Sequence, residues 1–148
     1  MKIYDCFMFF DETMMLEIRL NILNKFIDKF IITESKFSHN GKEKKLNFDI
    51  KKFSEFKSKI EYIIIDKQPK DILQEDADDS VVRKDEKKII NSLKRENFQR
   101  EMLSKGLVGL NQNDLVIISD VDEIPNLNNF KFEEVADQII IFKQKMFY

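Results

Sequence analysis

The stretch Asp114-Leu115-Val116-Ile117-Ile118-Ser119-Asp120-Val121-Asp122-Glu123-Ile124-Pro125 decides how the rest of the chain is read. Four aliphatic residues open into a cluster of carboxylates, and Pro125 then blocks simple continuation. The apolar run reads as a strand buried on both faces, as in a parallel sheet covered by helices. Acidic residues at the carboxyl end of such a strand lie where open α/β sheets bind ligands. In an extended segment Asp120 and Asp122 share one face. Two carboxylates converging there suit Mg²⁺ or Mn²⁺, hard cations that take oxygen ligands. The plainer reading of an Asp-x-Asp triplet in an acidic chain is a solvated turn.

Working outward, 148 residues suit one domain with a sizeable core, or part of a larger one. A charged fraction of 35% beside 43% hydrophobic residues fits a soluble globular protein. The formal net charge of −2 gives no reason to expect nucleic acid or an anionic membrane as partner. With 14 Phe and no Trp, the aromatic core is built from Phe, and 3 Gly leave no Gly-rich phosphate loop. Cys6 is the sole cysteine and His39 the sole histidine. That scarcity excludes an internal disulfide and a Cys-based zinc site, and argues against a Ser-His-Asp hydrolase. Asp5, Asp11 and Glu12 interrupt the N-terminal apolar run, so it has no signal-peptide shape. No apolar stretch approaches the roughly 18 residues of a membrane helix, and the expected location is cytoplasmic.

Before the opening stretch, strands and helices alternate. Ile3 to Phe10 reads as the first strand, broken by Asp5. Asp11 caps a helix expected to run to about Ile27, with an apolar arc of Met15, Leu16, Ile22, Leu23, Phe26 and Ile27. Arg19 sits inside that arc. A buried arginine needs a carboxylate or phosphate partner, and the plainer reading is an arginine snorkelling to a carboxylate at the sheet edge. Lys29 to Thr33 is the second strand, ending at Glu34-Ser35. The basic loop Ser38 to Lys45 offers Lys42, Lys44 and Lys45 to phosphate or simply to solvent. Asp49 to Lys57 reads as a short helix burying Phe53 and Phe56. Ile60 to Ile65 is the third strand, and Asp66 closes it with a second strand-end carboxylate.

Residues 67–88 read as a mobile loop leading into a helix from about Asp85 to Leu107. Ile89, Leu93, Leu103 and Leu107 are its expected core stripe. Glu96 and Arg100 fall within the stripe as an i,i+4 pair, while Arg95 points away, near Phe98 and Met102. Polar residues inside a buried stripe cost stability unless satisfied, so such breaks mark sites. After Pro125 come an Asn-rich loop, a short helix from about Glu133 to Asp137, and a final strand Gln138 to Phe142. The apolar ending Phe147-Tyr148 reads as a truncation, with an exposed C-terminal edge open to association.

Several segments, in order, resemble glycosyltransferase family 17, the family of the β-1,4-mannosyl-glycoprotein 4-β-N-acetylglucosaminyltransferase. They are Ile3-Tyr4-Asp5-Cys6-Phe7-Met8-Phe9-Phe10, Leu16-Glu17-Ile18-Arg19-Leu20-Asn21, Thr33-Glu34-Ser35, Gly41-Lys42, Arg95-Glu96-Asn97-Phe98-Gln99-Arg100 and Ile118 to Pro125. The resemblance implies an α/β, GT-A-like (Rossmann-like), mostly parallel sheet flanked by helices, here carrying the nucleotide-binding portion. It implies a UDP-GlcNAc donor, a mannose-type glycan acceptor, a Mn²⁺ or Mg²⁺ cofactor and inversion at the anomeric carbon. On that basis Asp122 holds the metal and Asp120 contacts metal or ribose. Asp66 is a candidate for uracil or ribose, with Glu34 and Ser35 nearby. Arg100 supports the diphosphate or fixes the carboxylates through Glu96, and Arg19 and Arg95 support the site. The general base is expected beyond this chain. Two other readings compete. One is a non-catalytic or split half that needs a partner. The other is a haloacid dehalogenase-type phosphatase with Asp120 as nucleophile, disfavoured because the motif is late and Ile124 stands where that class carries Thr or Val.

Overall fold

A computed structural model of the chain describes residues 1–135 and 138–144. Six regular elements follow in order: β1 (Ile3–Met8), α1 (Thr13–Leu23), β2 (Lys29–Ser35), β3 (Ile60–Ile65), α2 (Val81–Glu101) and β4 (Leu115–Ile118). Short 3₁₀ turns occupy Ser54–Phe56, Met102–Leu107 and Phe132–Glu134. The four strands form one parallel sheet in the order β3-β2-β1-β4. This is the expected α/β, Rossmann-like arrangement of a parallel sheet with flanking helices. The chain steps outward from β1 to β3 and then returns to place β4 on the other side of β1. The join between β1 and β4, where Cys6 pairs with Ile118, is therefore the topological switch point.

Each strand of a parallel sheet sends alternate side chains to opposite faces, and both faces are covered over β1 and β2. The edge strand β4, expected to be buried on both faces, is covered on one only: Leu115 and Ile117 pack on the core, while Val116 and Ile118 are 36% and 58% exposed. Ile3 and Phe7 of β1 meet Leu16, Leu20 and Leu23 of α1 in the main core, which extends to Phe53, Phe56, Val121 and Leu127. Tyr4, Cys6 and Ile31 face the other way, onto Leu103 of the 3₁₀ turn after α2. Gly106 permits that approach, because a Cβ there would lie 2.6 Å from Ile31 Cγ2. Asp5 lies between Ile3 and Phe7 on the α1 side. Its carboxylate thus enters the core and must find a partner.

The helices differ from expectation in instructive ways. α1 stops at Leu23 rather than near Ile27, and its buried positions are Leu16, Arg19, Leu20 and Leu23, leaving Ile22 half exposed. Asp11 does not cap it through its side chain. Glu12 turns back to accept from the backbone N–H groups of Phe10 and Asp11, each at 3.1 Å. The long second helix is two pieces, α-helical to Glu101 and 3₁₀ beyond, and it begins earlier, at Val81, capped by the Ser80 hydroxyl. Residues 81–88 are thus helical rather than loop.

Leu103 is buried as expected, but Ile89 and Leu93 are 63% and 53% exposed. The buried α2 positions are Lys87 and Asn91, which serve the preceding loop. Asn91 exchanges two 2.8 Å hydrogen bonds with the Leu73 backbone, and Lys87 Nζ reaches Gln74 O, Asp76 and Asp79. Near the end of the chain, residues 138–144 form no strand. Phe142 packs on Phe130 with ring centroids 5.3 Å apart, while Ile139 and Ile141 face solvent. The expected helix is a single 3₁₀ turn at Phe132–Glu134, and Asp137, Phe147 and Tyr148 lie outside the described residues.

Candidate active site

Asp120 and Asp122 come together by a route other than the one their spacing suggests. The chain leaves β4 into a turn in which Glu123 N–H donates to the Asp120 carbonyl at 3.0 Å. The extended reading of the triplet is therefore replaced by a reverse turn. Val121, at its corner, drops into the main core at 6% exposure. Anchored there, the turn leaves Asp120 and Asp122 lining a cleft of about 380 Å³ with Met8, Phe9, Phe10, Glu96 and Gln99. Met8 ends β1, and Asp120 follows β4 after one residue, so the cleft opens at the switch point, outside the carboxyl ends of the strands.

The turn is held from beneath by a buried ion pair. Arg19 and Asp5 are both fully buried, and the guanidinium grips the carboxylate through Nε (2.8 Å) and Nη2 (2.7 Å). Its remaining donors point up into the turn. Nη1 donates to the carbonyls of Asp120 (2.8 Å), Val121 (3.3 Å) and Glu123 (3.1 Å), and Nη2 to Ser119 Oγ (2.7 Å). Arg19 therefore does not snorkel to a sheet edge. A planar five-donor fork is the one side chain able to make this set of bonds at once.

From α2, Arg100 Nη2 sits 3.2 Å from both Glu96 Oε1 and Asp120 Oδ1. The guanidinium side chain is 42% exposed, so these contacts are wet and exchangeable. Partial burial pushes the Asp120 carboxyl above the usual carboxylate range, Arg100 opposes the shift, and Glu123, Asp122 and Glu96 reinforce it. Asp122 is exposed at the cleft, and its carboxylate accepts no hydrogen bond from the described residues. Among those residues no group of three or more His, Cys, Asp or Glu side chains forms a closed metal cage. A pair of carboxylates with open space beside it still fits Mg²⁺ or Mn²⁺, which complete their shells with phosphate oxygens and water.

The other residues singled out in the sequence divide clearly. Glu34 is fully buried and already receives four donors: Lys44 Nζ, the N–H groups of Asn47 and Phe48, and the Tyr62 hydroxyl. It locks the 44–48 loop onto β2 and presents no free oxygen to a nucleotide. The same contact pushes the Tyr62 hydroxyl's pKa up, with burial the larger cause. Ser35 Oγ accepts from Phe37 N–H at 3.0 Å. Asp66 is exposed after β3, the strand at the far edge of the sheet, and does not line the cleft. Arg95 ties Gln68 Oε1 (2.9 Å) to the His39 carbonyl (3.0 Å) and lies over Gly41. Gly41 has φ +85°, and a Cβ there would sit 2.4 Å from the guanidinium. In the basic loop, Lys44 is spent on Glu34 and stacks over Phe10.

Four neighbours were not singled out as site residues in the sequence. Gln99 Nε2 donates to the carbonyls of Thr33 (2.9 Å) and Phe9 (3.4 Å), tying α2 to the ends of β1 and β2. His39 and Phe10 pair at 6.0 Å between ring centroids on the cleft wall. Asp5, noted only as a break in an apolar strand, is the anchor of Arg19. Its signal was parity, since Ile3, Asp5 and Phe7 must share a face.

The model of glycosyltransferase family 17 matches residues 1–145. The chain belongs to that family. It is accordingly a glycosyltransferase, and the family implies a nucleotide-sugar donor and a glycan acceptor. The haloacid dehalogenase reading of Asp120-Val121-Asp122 falls with that assignment. No curated protein and no solved structure matches the chain. No helix among the described residues is long and apolar enough to cross a membrane.

Proposed function

We propose that this glycosyltransferase uses UDP-GlcNAc as donor and transfers N-acetylglucosamine, with inversion, to a mannose-type glycan. Asp122 and Asp120 are the residues that would hold a divalent cation, Mn²⁺ or Mg²⁺, for the donor diphosphate. The observation that supports the reading is the convergence of these carboxylates with Glu96 in one cleft at the β1–β4 switch point, with Arg100 in contact with Asp120 and Glu96. When bound, the cation supplies charge neutralisation for the UDP leaving group. The chain's own groups do the rest of the donor-side work. Asp122 would take up the cation without losing a partner among the described residues. Asp120 would exchange its Arg100 contact for the cation, and the freed guanidinium would be available to pair with phosphate oxygens. Arg19 cannot take that role, because its nitrogens are already committed to Asp5, Ser119 and the turn carbonyls. In the transfer, the acceptor hydroxyl oxygen bonds to the anomeric carbon as the bond to UDP breaks on the opposite face. The hydroxyl proton goes to a general base outside the residues assigned above.

Calorimetric titration with UDP, with and without Mn²⁺, on wild type and Asp122→Ala tests the reading. Mn²⁺ is expected to tighten UDP binding to wild type by 10-fold or more, on the order seen when a metal ligand is intact. Asp122→Ala is expected to lose that gain. Equal UDP affinity in all four arms overturns the proposal.

A further inference from the structure

We propose that Arg19 is the positioning residue of the acidic turn, an internal template that fixes where Asp120 and Asp122 point. The inference rests on the reading of those carboxylates as metal ligands. What it adds is the cause of their orientation. A turn of five residues, Ser119 to Glu123, carries three carboxylates within four positions. Left to itself, such a turn spreads its like charges and samples many geometries. Here three of its five carbonyls accept from one guanidinium group, and its serine hydroxyl accepts from the same cation. The Ser119 hydroxyl then donates to the Glu123 carbonyl at 3.1 Å, closing the ring.

Two consequences follow from that wiring. With the carbonyls drawn inward to Arg19, the turn's oxygen donors facing the cleft are side-chain carboxylates rather than backbone. And because Asp5 fixes the guanidinium from below while the Phe7 ring lies 4.6 Å from its Cζ, the template itself cannot swing. No nitrogen of Arg19 is left unused to meet a ligand directly. It acts through the turn, from the core side, on groups that face the cleft.

The test must separate positioning from simple stability. Arg19→Met alone strands a buried carboxylate. The double variant Asp5→Leu/Arg19→Met removes both charges together, an exchange that folded proteins commonly tolerate. Arg19→Lys is the second variant, keeping a charge for Asp5 but lacking the planar fork. Each is compared with wild type by hydrogen exchange of the backbone amides and by electron paramagnetic titration of free Mn²⁺ in the presence of UDP. With β1 and β2 amides as protected as in wild type, exchange at 119–124 is expected to quicken by 10-fold or more. Mn²⁺ affinity is expected to fall 10-fold or more, as for outer-sphere groups that orient metal ligands. A folded variant with wild-type exchange at 119–124 overturns the template, whatever the metal does. So does quickened exchange with wild-type Mn²⁺ affinity. Wild type that takes up no Mn²⁺ with UDP overturns the metal reading of the preceding section instead, and the exchange arm then decides the template alone.

Discussion

Arg19 and Arg100 reach the same turn from different helices, one below it and one beside it. Arg19, on α1, is fully buried and bonded to a carboxylate, a hydroxyl and three carbonyls. Arg100, near the end of α2, touches two carboxylates at 3.2 Å and keeps much of its side chain in water. The chemistry is alike and the energetics are opposed. A guanidinium buried in the core makes sense only if every donor is satisfied, and it then becomes as fixed as the hydrophobic residues around it. A guanidinium in water gains little from its ion pairs, so little is lost when a phosphate replaces them. The protein thus sets a rigid arginine beneath the acidic turn and a loose one beside it, where the proposed donor would enter.

That contrast can be broken most forcefully at the buried end. Arg19→Met is expected to cost about 3–5 kcal/mol in denaturant unfolding, because Asp5 is left charged and unpaired in the core. A cost below about 1 kcal/mol would remove the distinction. Glu34 extends the comparison to a buried carboxylate. Glu34→Gln replaces one of its acceptor oxygens with a donor facing donors, and the expected loss is about 2 kcal/mol by the same assay. Arg95 lies between the extremes, clasping two loops above Gly41. Arg95→Ala is expected to cost about 1 kcal/mol. At the exposed end, Arg100→Ala is expected to change stability by no more than about 0.5 kcal/mol. The same variant is expected to weaken UDP–Mn²⁺ binding several-fold in calorimetry, with the difference shrinking at high salt. Stability lost at Arg100 with ligand affinity untouched would reverse the assignment.

The sequence revealed Arg19, Arg100, Asp5 and Glu34 unevenly. Arg19 and Arg100 stood out because each interrupts an apolar stripe, and a helical period makes such interruptions visible. Asp5 was within reach of the same logic through strand parity. Glu34 was misleading: it ends a strand, where ligand groups gather, yet its partners at 44, 47, 48 and 62 are contacts that no local pattern encodes. β3 was legible residue for residue, from Ile60 to Ile65, because an apolar strand bounded by charged residues has little else it can be. α2 was legible as a helix but not in its facing. Lys87 and Asn91 look like solvent positions until the loop at 71–79 folds back to use them. Gln138 to Phe142 has a strand's composition and lies beside the edge strand β4, whose Ile118 is 58% exposed, yet forms no ladder. Propensity there meets no hydrogen-bonding partner among the described residues.

The most direct measurement is an anomalous difference map, collected at the manganese edge, from crystals grown with UDP and Mn²⁺. The account predicts one strong peak in the cleft, roughly 2.1 Å from a carboxylate oxygen of Asp122, by analogy with the tight shells of small divalent cations. It further predicts Arg100 drawn off Asp120 toward a phosphate, with every Arg19 contact to the turn unchanged. A manganese peak elsewhere, or UDP bound away from Asp120 and Asp122, would contradict it.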